Sequence, residues 1–148
     1  MALPHWKIGR ALGIPIYVHA SWFVVFFLVS SSLATGYLPE MLPGLSVPRY
    51  WGMGGIAALL LFLSVLLHEL GHSYVALRYK IPIKQITLFI FGGMAHMGKE
   101  PPSPRAEFLI AMAGPLVSFI LGAVCLSGAM AVVAFPVRST LQGLVVLG

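Results

Sequence analysis

The segment His68-Glu69-Leu70-Gly71-His72 carries the residues of this chain that are best suited to metal chemistry. In an α-helix, side chains four positions apart lie on one face, so His68 and His72 can direct imidazole nitrogens at one zinc ion. Glu69 lies on the same side, where its carboxylate can take a proton from a zinc-bound water without binding the metal. The motif therefore predicts a zinc site at His68 and His72, with Glu69 as the general base of a peptidase.

The composition of the chain is that of a membrane protein. Of its 148 residues, 59% are hydrophobic and 9% are charged. A soluble surface needs more charge than this, so most of the outer surface must face lipid. The segments that reach bilayer-spanning length, and are predicted to cross the membrane as helices, are residues 18–38, 51–77 and 106–134.

Three features qualify this division into spans. A secretory signal peptide is the alternative for the first segment, since a basic start precedes its apolar run. The prolines between residues 39 and 50 predict a loop before the second span. Pro136 and Arg138 are predicted to end the third span, and the apolar run from residue 141 is predicted to begin a fourth.

The basic residues predict how the chain is oriented. Most Lys and Arg residues lie near the N-terminus and in the loop between the second and third spans, whereas the other side holds only Arg49 and Arg138. The N-terminus and this loop are therefore predicted to be cytoplasmic. The motif then lies in the cytoplasmic half of the bilayer, where an ionisable group such as Glu69 is costly and marks a functional site. The net charge of +5 is attributed to orientation, and no nucleic-acid partner is predicted.

A small β element is predicted on the cytoplasmic side. Residues 14–18 form a short strand, and residues 83–97 form a hairpin that turns at two glycines, which permit close backbone approach. A transmembrane substrate arrives as a helix and must be unwound, so an exposed strand could hold it by β-addition. A purely structural hairpin that covers the zinc helix is the alternative. The residues predicted to contact substrate are Ile86, Leu88, Ile90, Gly92 and Gly93.

The motif in an apolar helix resembles that of the site-2 protease family of intramembrane metalloproteases. Three other stretches resemble this family in their order and spacing: residues 16–22 (IYVHASW), residues 88–95 (LFIFGGMA) and residues 113–116 (AGPL). The likeness is closest to the branch whose members often carry cystathionine-β-synthase-type (CBS) domains after the membrane core.

The resemblance implies a polytopic, mainly α-helical zinc metalloendopeptidase of a prokaryotic plasma membrane. Such a protease cuts single-pass membrane proteins within or near the bilayer, often to release a regulatory segment. Its expected partners are the transmembrane substrate and the lipid bilayer, and assembly into a homo-oligomer stays open.

The third zinc ligand of that family is an Asp from a later helix, and this chain contains no Asp. Catalytic zinc sites use three protein ligands and a water, so the chain is expected to be an N-terminal fragment that is inactive alone. Two alternatives stay open, a membrane metallopeptidase with Glu as third ligand and a metal-binding or inactive relative without peptidase activity. The residues considered as substitutes within the chain are Glu100, Glu107, His19 and His96, together with Glu40, which is predicted to lie on the opposite side of the membrane.

Overall fold

The computed structural model describes residues 5–90 and 92–146, with side chains as far as residue 131. Helices dominate this part of the chain, and its strands join in one small sheet. The α-helices are α1 Ser21–Ser32, α2 Leu38–Met41, α3 Val47–Arg78 and α4 Pro104–Val146, and a π-helical turn at Leu33–Tyr37 joins α1 to α2. The strands are β1 His5–Ala11, β2 Ile14–His19, β3 Ile83–Phe89 and β4 Gly92–Met97.

Three helical segments of the described chain are long and apolar enough to cross a membrane. They comprise Ser21–Met41, Val47–Arg78 and Pro104–Ala131. The first has 21 residues, which at about 1.5 Å per residue give a rod of about 31 Å, close to the hydrocarbon thickness of a bilayer. These helices and the small sheet beside them confirm the predicted fold class.

Two helix boundaries differ from the prediction because prolines lie inside helices. Pro48 occupies the first turn of α3, where the backbone N–H groups have no partners in any case, so α3 begins earlier than expected. The backbone of α4 stays helical through Pro136 to Val146. The backbone of α4 thus has no break near residue 134 or residue 141, and the division of this region into a third and a fourth membrane span stays a prediction. A membrane helix tolerates an internal proline when other groups satisfy the freed carbonyl.

The sheet is larger than predicted, with the strand order β1-β2-β3-β4. The strand at residues 14–18 is present as β2, and it runs parallel to β3, while the β1–β2 and β3–β4 pairs are antiparallel. Sequence patterns missed β1. Its turn into β2 uses positive φ at Leu12 and Gly13. Such hairpin turns usually contain Asn, Asp or Gly at both positions, so a sequence with Leu12 at the first position does not indicate a turn.

One face of the sheet packs against the half of α3 that ends at Arg78. Its apolar residues join a core with residues from α3 and α4, so the sheet is fixed beside the motif-bearing half of α3. The buried members of this core are Ile14, Ala76, Ile81, Ile83, Ile86 and Ile110.

Candidate metal centre

The α-helical spacing of the motif brings His68 and His72 side by side. Their Nε2 atoms lie 3.1 Å apart. His72 Nδ1 is 2.7 Å from the carbonyl oxygen of Ile110, which can only accept, so Nδ1 carries the proton and Nε2 has a free lone pair. His68 Nδ1 is 2.8 Å from Ser118 Oγ. Both imidazoles are thus held at Nδ1 by α4 and turn Nε2 towards a common point.

This arrangement fits a zinc ion. Two nitrogen ligands at about 2.0–2.1 Å on a tetrahedral zinc lie roughly 3.3 Å apart, which is close to the spacing of the two Nε2 atoms. A zinc-binding histidine usually donates its other ring N–H to a carbonyl or carboxylate, as His72 does to Ile110. The described residues contain one group of three or more His, Cys, Asp or Glu side chains that are placed to hold a metal. It consists of His68, Glu69 and His72, whose ligand atoms lie within 4.8 Å of one another.

Gly114 on α4 leaves the space in front of the imidazoles. A Cβ added at Gly114 would overlap the His72 ring and lie 2.6 Å from His68 Nε2. Any other residue at this position would therefore occupy the place of the metal. The close approach of the two helices also depends on Gly71, where an added Cβ would lie 2.9 Å from the carbonyl oxygen of Ala113.

The backbone of β4 covers Glu69 from the other side of α3. The Ala95 N–H donates a hydrogen bond to the Glu69 carboxylate. A Cβ added at Gly93 would overlap the Glu69 side chain, so only glycine allows the strand to come this close. Gly92 has a φ of +122°, a conformation that other residues rarely adopt. The two glycines thus bring the β3–β4 hairpin into contact with the predicted base.

Two clefts meet at Glu69. One has a volume of about 290 Å³ and extends from His68 past Gly92 and Gly93 to Ser118. The other has a volume of about 460 Å³ and extends from His72 along β4 towards Glu107. Glu69 therefore borders two open clefts that both reach the backbone of β4, where an extended peptide could lie.

The residues predicted to contact substrate fall into two groups. Ile86 and Leu88 are 0% and 4% exposed, and β3 is paired on both sides, so the prediction that this strand is exposed is wrong. The alternation of β3 could not show which of its neighbours would pair with it. Gly92 and Gly93 lie at the site, and Ile90 is 41% exposed at the hairpin turn. The edge of the sheet nearest to Glu69 is β4.

The proposed substitutes for a third ligand do not join the metal group. Glu107 borders the same cleft as His72, and His19 bonds instead to Ser21. Neither these two residues nor Glu40, Glu100 and His96 appear in a group of three ligands within the described residues.

Sequence reasoning missed the groups that support the imidazoles, which are Ile110, Gly114 and Ser118. The Gly114-Pro115 pair inside an apolar helix was the available signal, because glycine within a membrane helix often marks close helix contact.

The fold and this centre define a membrane protein with the ligand pair of a zinc peptidase. The family model of peptidase family M50 matches residues 56–146, which is more than half of the chain. The chain belongs to peptidase family M50, and its resemblance to the site-2 proteases is confirmed.

Individual relatives agree with this assignment. A Synechocystis protein named "Putative zinc metalloprotease sll0528" is 49% identical over 115 residues, covering 78% of this chain and 30% of that protein. The zinc metalloprotease MJ0392 of Methanocaldococcus jannaschii is 41% identical over 120 residues, covering 81% of this chain and 31% of that protein. The solved structure of the site-2 protease from Methanocaldococcus jannaschii has a TM-score of 0.61 and 37% identity, covering 86% of this chain and 52% of that one. The chain spans about a third of the length of the two named relatives.

Proposed function

We propose that this chain forms the zinc-binding part of an intramembrane metalloprotease that cleaves transmembrane segments of single-pass membrane proteins. The observation that carries the proposal is the pair of Nε2 atoms of His68 and His72, 3.1 Å apart, beside Glu69 in a helix that is apolar enough to cross a membrane. A peptidase centre at this depth has access to peptide bonds that soluble proteases cannot reach.

His68 and His72 would hold the zinc ion through Nε2. Zinc in such a site activates water and polarises the carbonyl of the bond to be cut. We propose that a third protein ligand, an Asp, comes from outside these 148 residues, because catalytic zinc sites use three protein ligands and the described residues supply two imidazoles.

Glu69 moves the proton in the proposed reaction. Its carboxylate accepts a proton from the attacking water and then gives it to the nitrogen of the departing amine, so the carboxylate is regenerated. The hydrogen bond from the Ala95 N–H and the contact with Gly93 restrict the carboxylate to the side of α3 that faces the clefts.

An extended substrate segment is proposed to lie along β4. This strand is the edge of the sheet next to Glu69, and its Ala95 N–H interacts with the Glu69 carboxylate. Backbone groups of an unwound substrate can pair with such an edge, which stabilises the extended form that a protease needs. Gly92, Gly93 and Ile90 remain candidate substrate contacts, whereas Ile86 and Leu88 support the strand from within the core.

We further propose that the protein is in a prokaryotic plasma membrane with the N-terminus cytoplasmic. The Lys and Arg residues near the N-terminus and in the loop around β3 support this orientation. The released part of a substrate would then enter the cytoplasm, as in regulated intramembrane proteolysis.

The test uses the full-length protein in liposomes with a single-pass membrane substrate. We expect about one zinc per chain, and we expect Glu69→Gln to abolish cleavage while zinc stays bound. Glu40→Gln is the matched control, because Glu40 is exposed in α2 and lies outside the metal group. Cleavage by Glu69→Gln at the parental rate would refute the mechanism. Zinc binding without cleavage by the parent would favour a metal-binding relative that is not a peptidase.

A further inference from the structure

The start of α1 is tied to the tip of the β3–β4 hairpin by two side chains that the proposed mechanism does not use. Ser21 Oγ accepts a hydrogen bond from the backbone N–H of Ile90 at 3.1 Å. The same oxygen lies 2.8 Å from His19 Nδ1, and the Ser21 backbone N–H donates to that nitrogen at 3.2 Å. These residues connect the end of β2, the start of α1 and the hairpin.

The donors and acceptors of this group have one consistent assignment. Because a backbone N–H can only donate, His19 Nδ1 accepts from Ser21 and carries no proton. The Ser21 hydroxyl then donates its hydrogen to Nδ1, and its lone pairs are left to accept from Ile90. The hydroxyl therefore links the two residues only while His19 supplies an acceptor.

Helix capping does not account for Ser21. Serine is common at helix starts because its hydroxyl accepts a hydrogen bond from the first turn of its own helix. The N-cap position of α1 is held by Ala20, and no side-chain capping bond is present there. The Ser21 hydroxyl is directed to the hairpin and not to its own helix.

The point of attachment controls the backbone that covers Glu69. Ile90 lies at the hairpin turn, where Leu88 and Phe89 pair with Gly93 and Gly92. Gly93 is the residue that contacts the Glu69 side chain. A displacement of the turn is therefore transmitted to the strand that covers the base.

We propose that His19 and Ser21 are positioning residues that hold the β3–β4 hairpin at the distance from Glu69 that peptide cleavage requires. This inference rests on the proposed function, since the position of the hairpin matters to catalysis only if Glu69 is the base. The hydrogen bond between Ser21 and Ile90 is accessible to solvent, because Ile90 is 41% exposed and both residues border a cleft of about 360 Å³. Water can thus replace the Ser21 hydroxyl when that hydroxyl is removed.

Hydrogen–deuterium exchange tests the hydrogen bond between Ser21 and Ile90 without any measurement of activity. In the full-length protein in nanodiscs, Ser21→Ala should raise the exchange rate of the Ile90 amide by about tenfold, and Ser21→Thr, which keeps a hydroxyl, should stay within about twofold of the parent. The matched control is Ser31→Ala, because the Ser31 hydroxyl in the same helix bonds the Leu28 carbonyl of its own turn. This control should leave Ile90 unchanged.

Cleavage kinetics test the positioning role. We expect kcat to fall roughly tenfold in Ser21→Ala and in His19→Ala, with KM within about twofold, because misplaced groups near the reacting atoms slow the chemical step. His19→Asn keeps an acceptor near the position of Nδ1 and should recover most of kcat. A residue that only supported folding would change the yield of folded protein and leave kcat intact.

The outcomes separate the two proposals. An unchanged exchange rate of the Ile90 amide in Ser21→Ala would refute the hydrogen bond between Ser21 and Ile90. Raised exchange with unchanged kcat overturns the positioning role. If the parent protein cleaves no substrate, the proposed function and the positioning role are both refuted. The exchange data then still show whether Ser21 bonds the Ile90 amide.

Discussion

The two sides of α3 support the candidate centre in different ways. On the α4 side, the imidazoles of His68 and His72 are held through Nδ1 by Ser118 and by the Ile110 carbonyl, and Gly114 leaves the space in front of them. On the hairpin side, the backbone of β4 contacts Glu69. The orientation of the imidazoles and the placement of the Glu69 carboxylate therefore depend on separate elements, so we expect substitutions to change one and leave the other intact.

The largest effect is expected from Gly114→Ala, on the α4 side. The added Cβ overlaps the His72 ring and fills the place of the metal, so zinc affinity should fall by more than about 100-fold. Zinc titration of the folded protein measures this. Gly122→Ala is the matched control in the same helix, where an added Cβ contacts nothing within 4 Å, and it should bind zinc normally. Zinc binding by Gly114→Ala at parental affinity would contradict the assigned role of this helix contact.

Gly93→Ala acts on the hairpin side of α3 and should lower the cleavage rate without lowering the zinc affinity. Its Cβ overlaps the Glu69 side chain, so kcat should fall by roughly tenfold or more while zinc affinity stays within about twofold of the parent. Gly9→Ala in β1, where a Cβ meets nothing within 4 Å, is the control. A joint loss of zinc and activity in Gly93→Ala would show that the two sides are not separable.

The smallest effect is expected from Ser118→Ala. This substitution removes the partner of His68 Nδ1 but leaves both imidazoles in place, so zinc affinity should fall by about tenfold, the lower end for loss of an outer partner. Ser127→Ala serves as control, because the Ser127 hydroxyl bonds the Ala123 carbonyl of its own helix. Equal affinities for the two variants would mean that Ser118 does not orient the ring.

The predictable parts of the fold were those that depend on nearby residues. The apolar segments gave three helices, and the β-branched run before Gly92 gave the hairpin. The pairing of β2 with β3 joins residues about 70 positions apart, such as Ile16 and Ile86, and no local pattern encodes it. This pairing is what buries β3 and makes β4 the edge strand near the base, so the error about Ile86 and Leu88 follows from it.

The sequence by itself determined which side chains meet at the centre, because the spacing of His68, Glu69 and His72 brings their ligand atoms within 4.8 Å of one another in a helix. It also determined the membrane setting, since the apolar length of α3 admits few other environments. Only the tertiary structure decided what holds these side chains. The supporting groups, Ile110, Ser118 and Gly93, reach the motif through contacts between distant segments, and such contacts depend on how helices and strands pack.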